Sequence, residues 1–113
     1  DLNTKKVAVI KGTTSEHFMR YHDVTVMLVE TLDDLIRSLK DETVEAVVYD
    51  APTLMYLAKK DPDIKVVGEM FNVQKYGIAF PQGEHDSYKE IFNIAILEMQ
   101  GSGEYRRIYN KWF

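Results

Sequence analysis

Lys5-Lys6-Val7-Ala8-Val9-Ile10 runs directly into Lys11-Gly12-Thr13-Thr14-Ser15-Glu16. The first half is nearly all apolar from Val7 onward, the pattern of a strand covered on both faces. The second half ends that strand. Gly12 permits a tight turn, and Thr13 with Glu16 three residues on fits the S/T-x-x-E capping box of a helix start. Strand, tight turn and capped helix form the opening step of an alternating α/β chain.

The alternation continues outward from this stretch. The spacing predicts a short helix near residues 15–21, a second strand over Val24–Val29 and a helix whose apolar face is Leu32, Leu35, Ile36 and Leu39. Thr31 and Asp34 resemble a second capping box at the start of that helix. A third strand is expected over Val44–Tyr49. Asp50-Ala51-Pro52 then opens a helix to about Lys60, since proline is tolerated in a first turn. Ile64–Val67 and Tyr76–Phe80 read as fourth and fifth strands, and Pro81-Gln82-Gly83 closes the last. Beyond Gly83 the pattern is helical. Tyr88, Ile91, Phe92, Ala95 and Met99 form one stripe, and Tyr105, Ile108, Tyr109 and Trp112 form another after Gly101-Ser102-Gly103. The expected fold class is α/β: a mostly parallel five-stranded sheet with helices on both faces and a C-terminal helical tail. Right-handed crossovers put the loops after Ile10 and Tyr49 at the carboxyl ends of their strands, where open α/β sheets bind ligands.

Composition narrows the function class. With 113 residues, 45% hydrophobic and 28% charged, the chain suits one globular domain able to bury a core. Net charge is −4 and Lys and Arg are scattered, so no basic stripe points to nucleic acid. The longest apolar run, Leu54–Ala58, is far too short to span a membrane. Asp1-Leu2-Asn3-Thr4 is polar and leads straight into a strand, so no signal peptide is expected in this chain. The absence of cysteine excludes disulfides and thiolate metal sites.

Two places carry candidate chemistry. At Thr13, Thr14 and Ser15, the bland reading is a well-capped helix; the functional one is that free N–H groups at a helix start hold an anion. Neither G-x-G-x-x-G nor G-x-x-x-x-G-K-[ST] occurs, so this is not a nucleotide loop. Asp50 ends an apolar strand and begins a helix, which fits simple N-capping or a carboxylate facing the same cleft. An anion cradle beside a carboxylate suits a zwitterion, with the cradle taking an α-carboxylate and Asp50 an α-ammonium. No metal or cofactor is expected: His17, His22 and Asp23, at i, i+5, i+6, do not share one helical face. Arg20, Arg37, Arg106 and Arg107 read as solvated charges on helices.

The wider pattern resembles the polar amino-acid family of bacterial extracellular solute-binding proteins, whose fold is shared by glutamate-receptor ligand-binding domains. The stretches that carry the resemblance are Lys5–Val9 leading into Gly12-Thr13-Thr14, Thr31–Leu35, Glu45–Asp50, Tyr76–Pro81 and Tyr109-Asn110-Lys111-Trp112-Phe113, in order along the chain. The chain departs from the family pattern at Lys40-Asp41-Glu42-Thr43, where a glycine is common, and at Glu45, where aspartate is. The resemblance implies a type 2 periplasmic-binding fold of two lobes with an amino acid clamped between them. Residues 1–83 then correspond to lobe two, and residues 84–113 to C-terminal helices that dock on lobe one. It also implies that Thr14 binds ligand carboxylate through its N–H and hydroxyl, with Thr13 and Ser15 nearby. By the same resemblance Asp50 would bind the α-ammonium, and Ile10, Lys11 and Tyr49 would flank the pocket. In the family the carboxylate-binding arginine comes from lobe one, so the resemblance implies that this chain holds half a site and is expected to bind amino acids poorly alone.

Several functions follow as expectations. The first is an amino-acid-binding module on the periplasmic or extracellular side of a bacterial membrane, with no chemistry of its own. Its ligand is glutamate, glutamine or a similar polar amino acid, and its partners are a missing lobe one and either a channel pore or an ABC permease. The chain boundaries favour a glutamate-receptor-like potassium channel, where pore helices interrupt the module, over a free transporter-binding protein. The second function is a dehydratase or cell-wall-enzyme-associated module on the same fold. It lacks a paired acid and base near the expected cleft. The third is an autonomous nucleotide- or phosphate-binding domain using Gly12–Ser15. The apolar stripe from Tyr105 to Trp112 is expected to be a docking face, open to self-association when uncovered.

Overall fold

A computed structural model describes residues 2–83 and 86–113. The chain divides into two compact units, Asp1–Asn72 and Val73–Phe113.

The first unit is a sheet between helices. β1 (Lys6–Ile10) leads into α1 (Thr14–Met19), β2 (Thr25–Val29) into α2 (Leu32–Lys40), and β3 (Ala46–Val47) into α3 (Ala51–Lys60). The strand order is β2-β1-β3 and both pairings are parallel. Val7 is level with Val26 and Ala46, and Ala8 with Met27 and Val47. Pairing alongside β3 continues past its ends, since the Glu45 N–H donates to the Lys6 carbonyl and the Val48 N–H to the Ala8 carbonyl.

Strand periodicity of two sorts the apolar residues into two cores. Val7, Val9 and Val48 pack with Met19 of α1, flanked by Phe18, Val24, Val26 and Ala46. Ala8 packs with Leu35 of α2 and Val44, flanked by Ile10, Met27, Val29, Leu32, Val47 and Tyr49. Helices therefore cover both faces, as the alternation predicts. Val7, Ala8, Val9 and Leu35 are wholly buried.

Local signals explain the element ends. Thr31 Oγ1 accepts the Asp34 N–H at 3.1 Å and donates to Asp34 Oδ2 at 2.7 Å. The short aspartate satisfies the cap's hydroxyl instead of reaching back to its backbone. After α2, Glu42 adopts φ 54°, the left-handed conformation that a glycine takes without strain. Glu45 anchors the start of β3: its carboxylate accepts the Lys6 N–H at 3.0 Å and pairs with Lys5 at 2.6 Å.

The expected five strands are three among the described residues. Residues 64–67 and 76–80 carry no strand pairing. A strand is defined by a partner, and these runs have apolar content without a neighbouring ladder. Ile64 is buried, yet Val67, Tyr76 and Ile78 are all exposed.

In the second unit, α4 (Asp86–Ser102) and α5 (Glu104–Trp112) are separated by Gly103, whose φ of 81° ends one helix and starts the next. Gly101 lies inside α4, so the break falls on one glycine of the expected three-residue breaker. No residue of α5 is buried, and Tyr88, Ile91, Leu97, Tyr105 and Trp112 are all exposed. No helix among the described residues is long and apolar enough to cross a membrane.

Candidate functional site

The parallel register of the first unit decides where its loops meet. Continuing the β1–β3 pairing one step past Ile10 and Tyr49 brings Lys11 level with Asp50. The loop into α1 and the loop into α3 therefore leave the same, carboxyl-terminal edge of the sheet, from adjacent strands.

The first loop is held by a dense set of hydrogen bonds. Gly12 takes φ 77°, which an L side chain rarely adopts. Thr13, the N-cap of α1, donates through Oγ1 to the Ile10 carbonyl at 2.6 Å and accepts the Glu16 N–H at 3.3 Å. Its own N–H donates to the same Ile10 carbonyl at 3.3 Å. Glu16 closes the capping box one residue earlier than the usual pattern, accepting the Gly12 N–H at 2.6 Å because the Thr13 N–H is already engaged. Its other carboxylate oxygen pairs with the Arg20 guanidinium one turn on. The Gly12 N–H and then Arg20 hold the Glu16 carboxyl below the ordinary carboxylate value, against a smaller opposing effect of burial. Among the described residues, the first two amides of α1, those of Thr14 and Ser15, donate to no acceptor. Thr14 is exposed and Ser15 half-buried.

The second loop holds a different group. Asp50 occupies the N-cap position of α3 but makes no side-chain cap hydrogen bond. Pro52 at the second helical position has no N–H to offer it. The half-buried Asp50 carboxylate has no hydrogen-bond or ion-pair partner among the described residues. Simple capping does not account for it.

The flanking residues divide. Ile10 and Tyr49 are half-buried against the Ala8–Leu35–Val44 cluster and form the floor on the α2 side. The Lys11 N–H donates to the Val29 carbonyl at 2.9 Å, and its ammonium pairs with Glu30 at 3.4 Å. Lys11 thus reaches toward the end of β2. His17 packs edge-on against Tyr21, and His22 Nδ1 lies 3.0 Å from the Phe18 carbonyl. No group of three metal-ligating side chains converges among the described residues. Arg20 is exposed, as expected of a solvated helix charge, but sequence reasoning did not foresee its pair with Glu16. The available signal was an acid four residues before a base in a helix.

No protein-family model matches the chain. The L-cystine-binding protein TcyJ of Escherichia coli strain K12 is 36% identical over 117 aligned residues, covering 100% of this chain and 43% of that protein. The ABC transporter glutamine-binding protein GlnH of Bacillus subtilis strain 168 is 30% identical over 95% of this chain and 40% of its own length. Among solved structures, the GluR0 ligand-binding core from Nostoc punctiforme in complex with (L)-glutamate matches with a TM-score of 0.73 and 31% identity, over 100% of this chain and 53% of that one. The chain spans less than half the length of the curated relatives it matches.

Proposed function

This chain is a homologue of the bacterial polar amino-acid solute-binding proteins and of GluR0 ligand-binding cores, and from that kinship we propose that it is one jaw of an amino-acid clamp. In this reading residues 1–83 are the second lobe and residues 84–113 are C-terminal helices that dock on a first lobe. The ligand is a zwitterionic polar amino acid. The Thr14 N–H and hydroxyl, with Thr13 and Ser15 beside them, hold its α-carboxylate; Asp50 holds its α-ammonium. Tyr49 and Lys11 border the ligand's side chain.

The observation that carries this reading is the pairing of opposite needs at one sheet edge. Two amides open among the described residues want an anion, and a half-buried carboxylate with no partner among those residues wants a cation. A zwitterion supplies both. Closure of the two lobes around it is driven by contacts that exist only in the closed state. The module does this outside the cytoplasm and performs no catalysis.

Two parents fit. The likeness to a GluR0 core bound to glutamate supports a ligand-gated potassium channel, in which closure pulls on the pore. The likeness to cystine- and glutamine-binding proteins supports a free protein that presents its ligand to an ABC permease. A transmembrane segment just upstream in the gene selects the first, and a continuous first lobe there selects the second.

A titration with matched small ligands tests the clamp itself. Glycine should perturb the Thr14 and Ser15 amide resonances, whereas N-acetylglycine, lacking the ammonium, and glycinamide, lacking the carboxylate, should bind more weakly. Asp50→Asn should weaken glycine binding by roughly 10- to 150-fold, the range for losing one charged hydrogen-bond partner. Equal binding of all three ligands, or an indifferent Asp50→Asn variant, would rule the zwitterion reading out.

A further inference from the structure

We infer that Glu16 is a positioning residue: its carboxylate fixes the Gly12 peptide so that the Thr14 and Ser15 amides are presented as an open pair. The inference rests on the amino-acid reading for the purpose of that pair, though the geometry stands by itself.

The loop from Ile10 to Glu16 contains five backbone N–H groups between Gly12 and Glu16, and three of them are consumed within it. The Gly12 N–H goes to Glu16, the Thr13 N–H to Ile10 and the Glu16 N–H to the Thr13 hydroxyl. What remains is the adjacent pair at Thr14 and Ser15. Glu16 is the only charged member of this set, and its side chain is nearly buried. Gly12 is the loop's most mobile backbone position in principle, since glycine visits both signs of φ freely. The bond from its N–H to a carboxylate is charge-assisted, and so the strongest single restraint on that freedom. Arg20 occupies the second Glu16 oxygen. That contact balances a negative charge that would otherwise sit one helical turn from an anion.

A merely structural role, in which Glu16 supports α1 through an i, i+4 ion pair, makes a different forecast. It treats Glu16 and Arg20 as equivalent, whereas positioning depends on the acceptor for the Gly12 N–H. The two are separated by three variants of the 113-residue chain followed by amide NMR. Glu16→Ala should raise Gly12 amide exchange by about tenfold or more, the equilibrium weight of one charge-assisted hydrogen bond, and should move the Thr14 and Ser15 resonances. Glu16→Gln retains a carbonyl oxygen for the Gly12 N–H and should restore both toward wild type. Arg20→Ala should have a smaller effect on Gly12 than Glu16→Ala. Resonances of Val7 and Leu35 report whether the fold persists. If Glu16→Ala does not fold, the wild-type Gly12 amide supplies the same reading. Its shift should follow protonation of Glu16 below the ordinary carboxylate range, Arg20 and Lys11 being the basic groups that act on that carboxyl. An unmoved Gly12 amide in that range, or Arg20→Ala matching Glu16→Ala, overturns the positioning role. Titration of each variant with glycine then separates the two layers. Loss of binding in Glu16→Ala with recovery in Glu16→Gln supports both. Gly12 effects without any wild-type response to glycine support the positioning and sink only the amino-acid reading.

Discussion

Leu35 in α2 and Ile91 in α4 hold equivalent places in their helices, each three residues beyond the first apolar residue of a stripe. Leu35 is wholly buried, while Ile91 is 59% exposed. The difference lies in what faces them. Leu35 meets a sheet whose strands turn alternate residues toward α1 and α2, so each stripe finds a layer of apolar side chains. Within the Val73–Phe113 unit, α4 meets α5 and its Phe92 packs on Phe80, but no sheet covers the stripe among the described residues. An amphipathic stripe defines a face, but burial requires a second layer. Most of the stability of the chain is therefore expected in Asp1–Asn72, while many apolar side chains of the second unit lie exposed.

The comparison is broken most directly by truncating one apolar residue in each unit. Leu35→Ala should destabilise the chain by about 2–5 kcal/mol in urea unfolding. Leu97→Ala, at a residue 66% exposed, should fall within about 0.5 kcal/mol of wild type. Similar losses for both would mean that the second unit has a core of its own. Next in size, removing the α2 cap with Thr31→Ala should cost about 1 kcal/mol in the same assay. A smaller change of opposite sign sharpens the contrast within the first unit. Glu42→Gly relieves the left-handed residue and should raise the urea midpoint by an amount equivalent to about 0.5–1 kcal/mol. A lowered midpoint would show that Glu42 is not under strain.

Acid should also act mainly on the first unit. Hydrogen bonds from Gly12 and Arg20 lower the Glu16 carboxyl, those from Lys5 and the Lys6 N–H lower Glu45, and those from Lys40 and the Asp63 N–H lower Asp61. In the second unit Glu104 alone among the described residues is lowered, by Arg107. A depressed carboxyl contributes stability that is complete above its unfolded pKa and is lost as pH falls through its folded one. Unfolding midpoints should thus hold near neutrality and decline below about pH 4.5. Lys40, raised by its bond to Asp61, has the opposite sign: its contribution is lost only as pH climbs beyond the ordinary lysine range. A urea midpoint that stays level as pH falls from neutrality to below about pH 4 would contradict this assignment.

Much of the first unit was legible because its signals are local. The apolar run Val7–Ile10, the Thr13 and Thr31 caps and the Leu32–Leu39 stripe each specify a short element, and the crossover rule then fixes which sheet edge carries the loops. The strands expected at 64–67 and 76–80 were not decided locally. Pairing is a property of two segments, and an apolar run shows only one of them. At the site, Thr13–Ser15 and Asp50 could be singled out by residue type and position. The redirected bond from Gly12 to Glu16 could not, because it depends on which donor the turn had already used. Lys11 was readable as a neighbour of the loop, but its reach toward Glu30 depends on the β1–β2 register.

The central claim is that the amides opening α1 and the carboxylate preceding α3 act on one small zwitterion. Amide and carboxyl NMR of the chain during titration with L-glutamate, L-glutamine and L-arginine, with inorganic phosphate as control, tests it most directly. The account predicts that Thr14, Ser15 and Asp50 move together, along one weak binding curve, more strongly with amino acids than with phosphate. Independent curves for Asp50 and the two amides, or a larger response to phosphate, would contradict it.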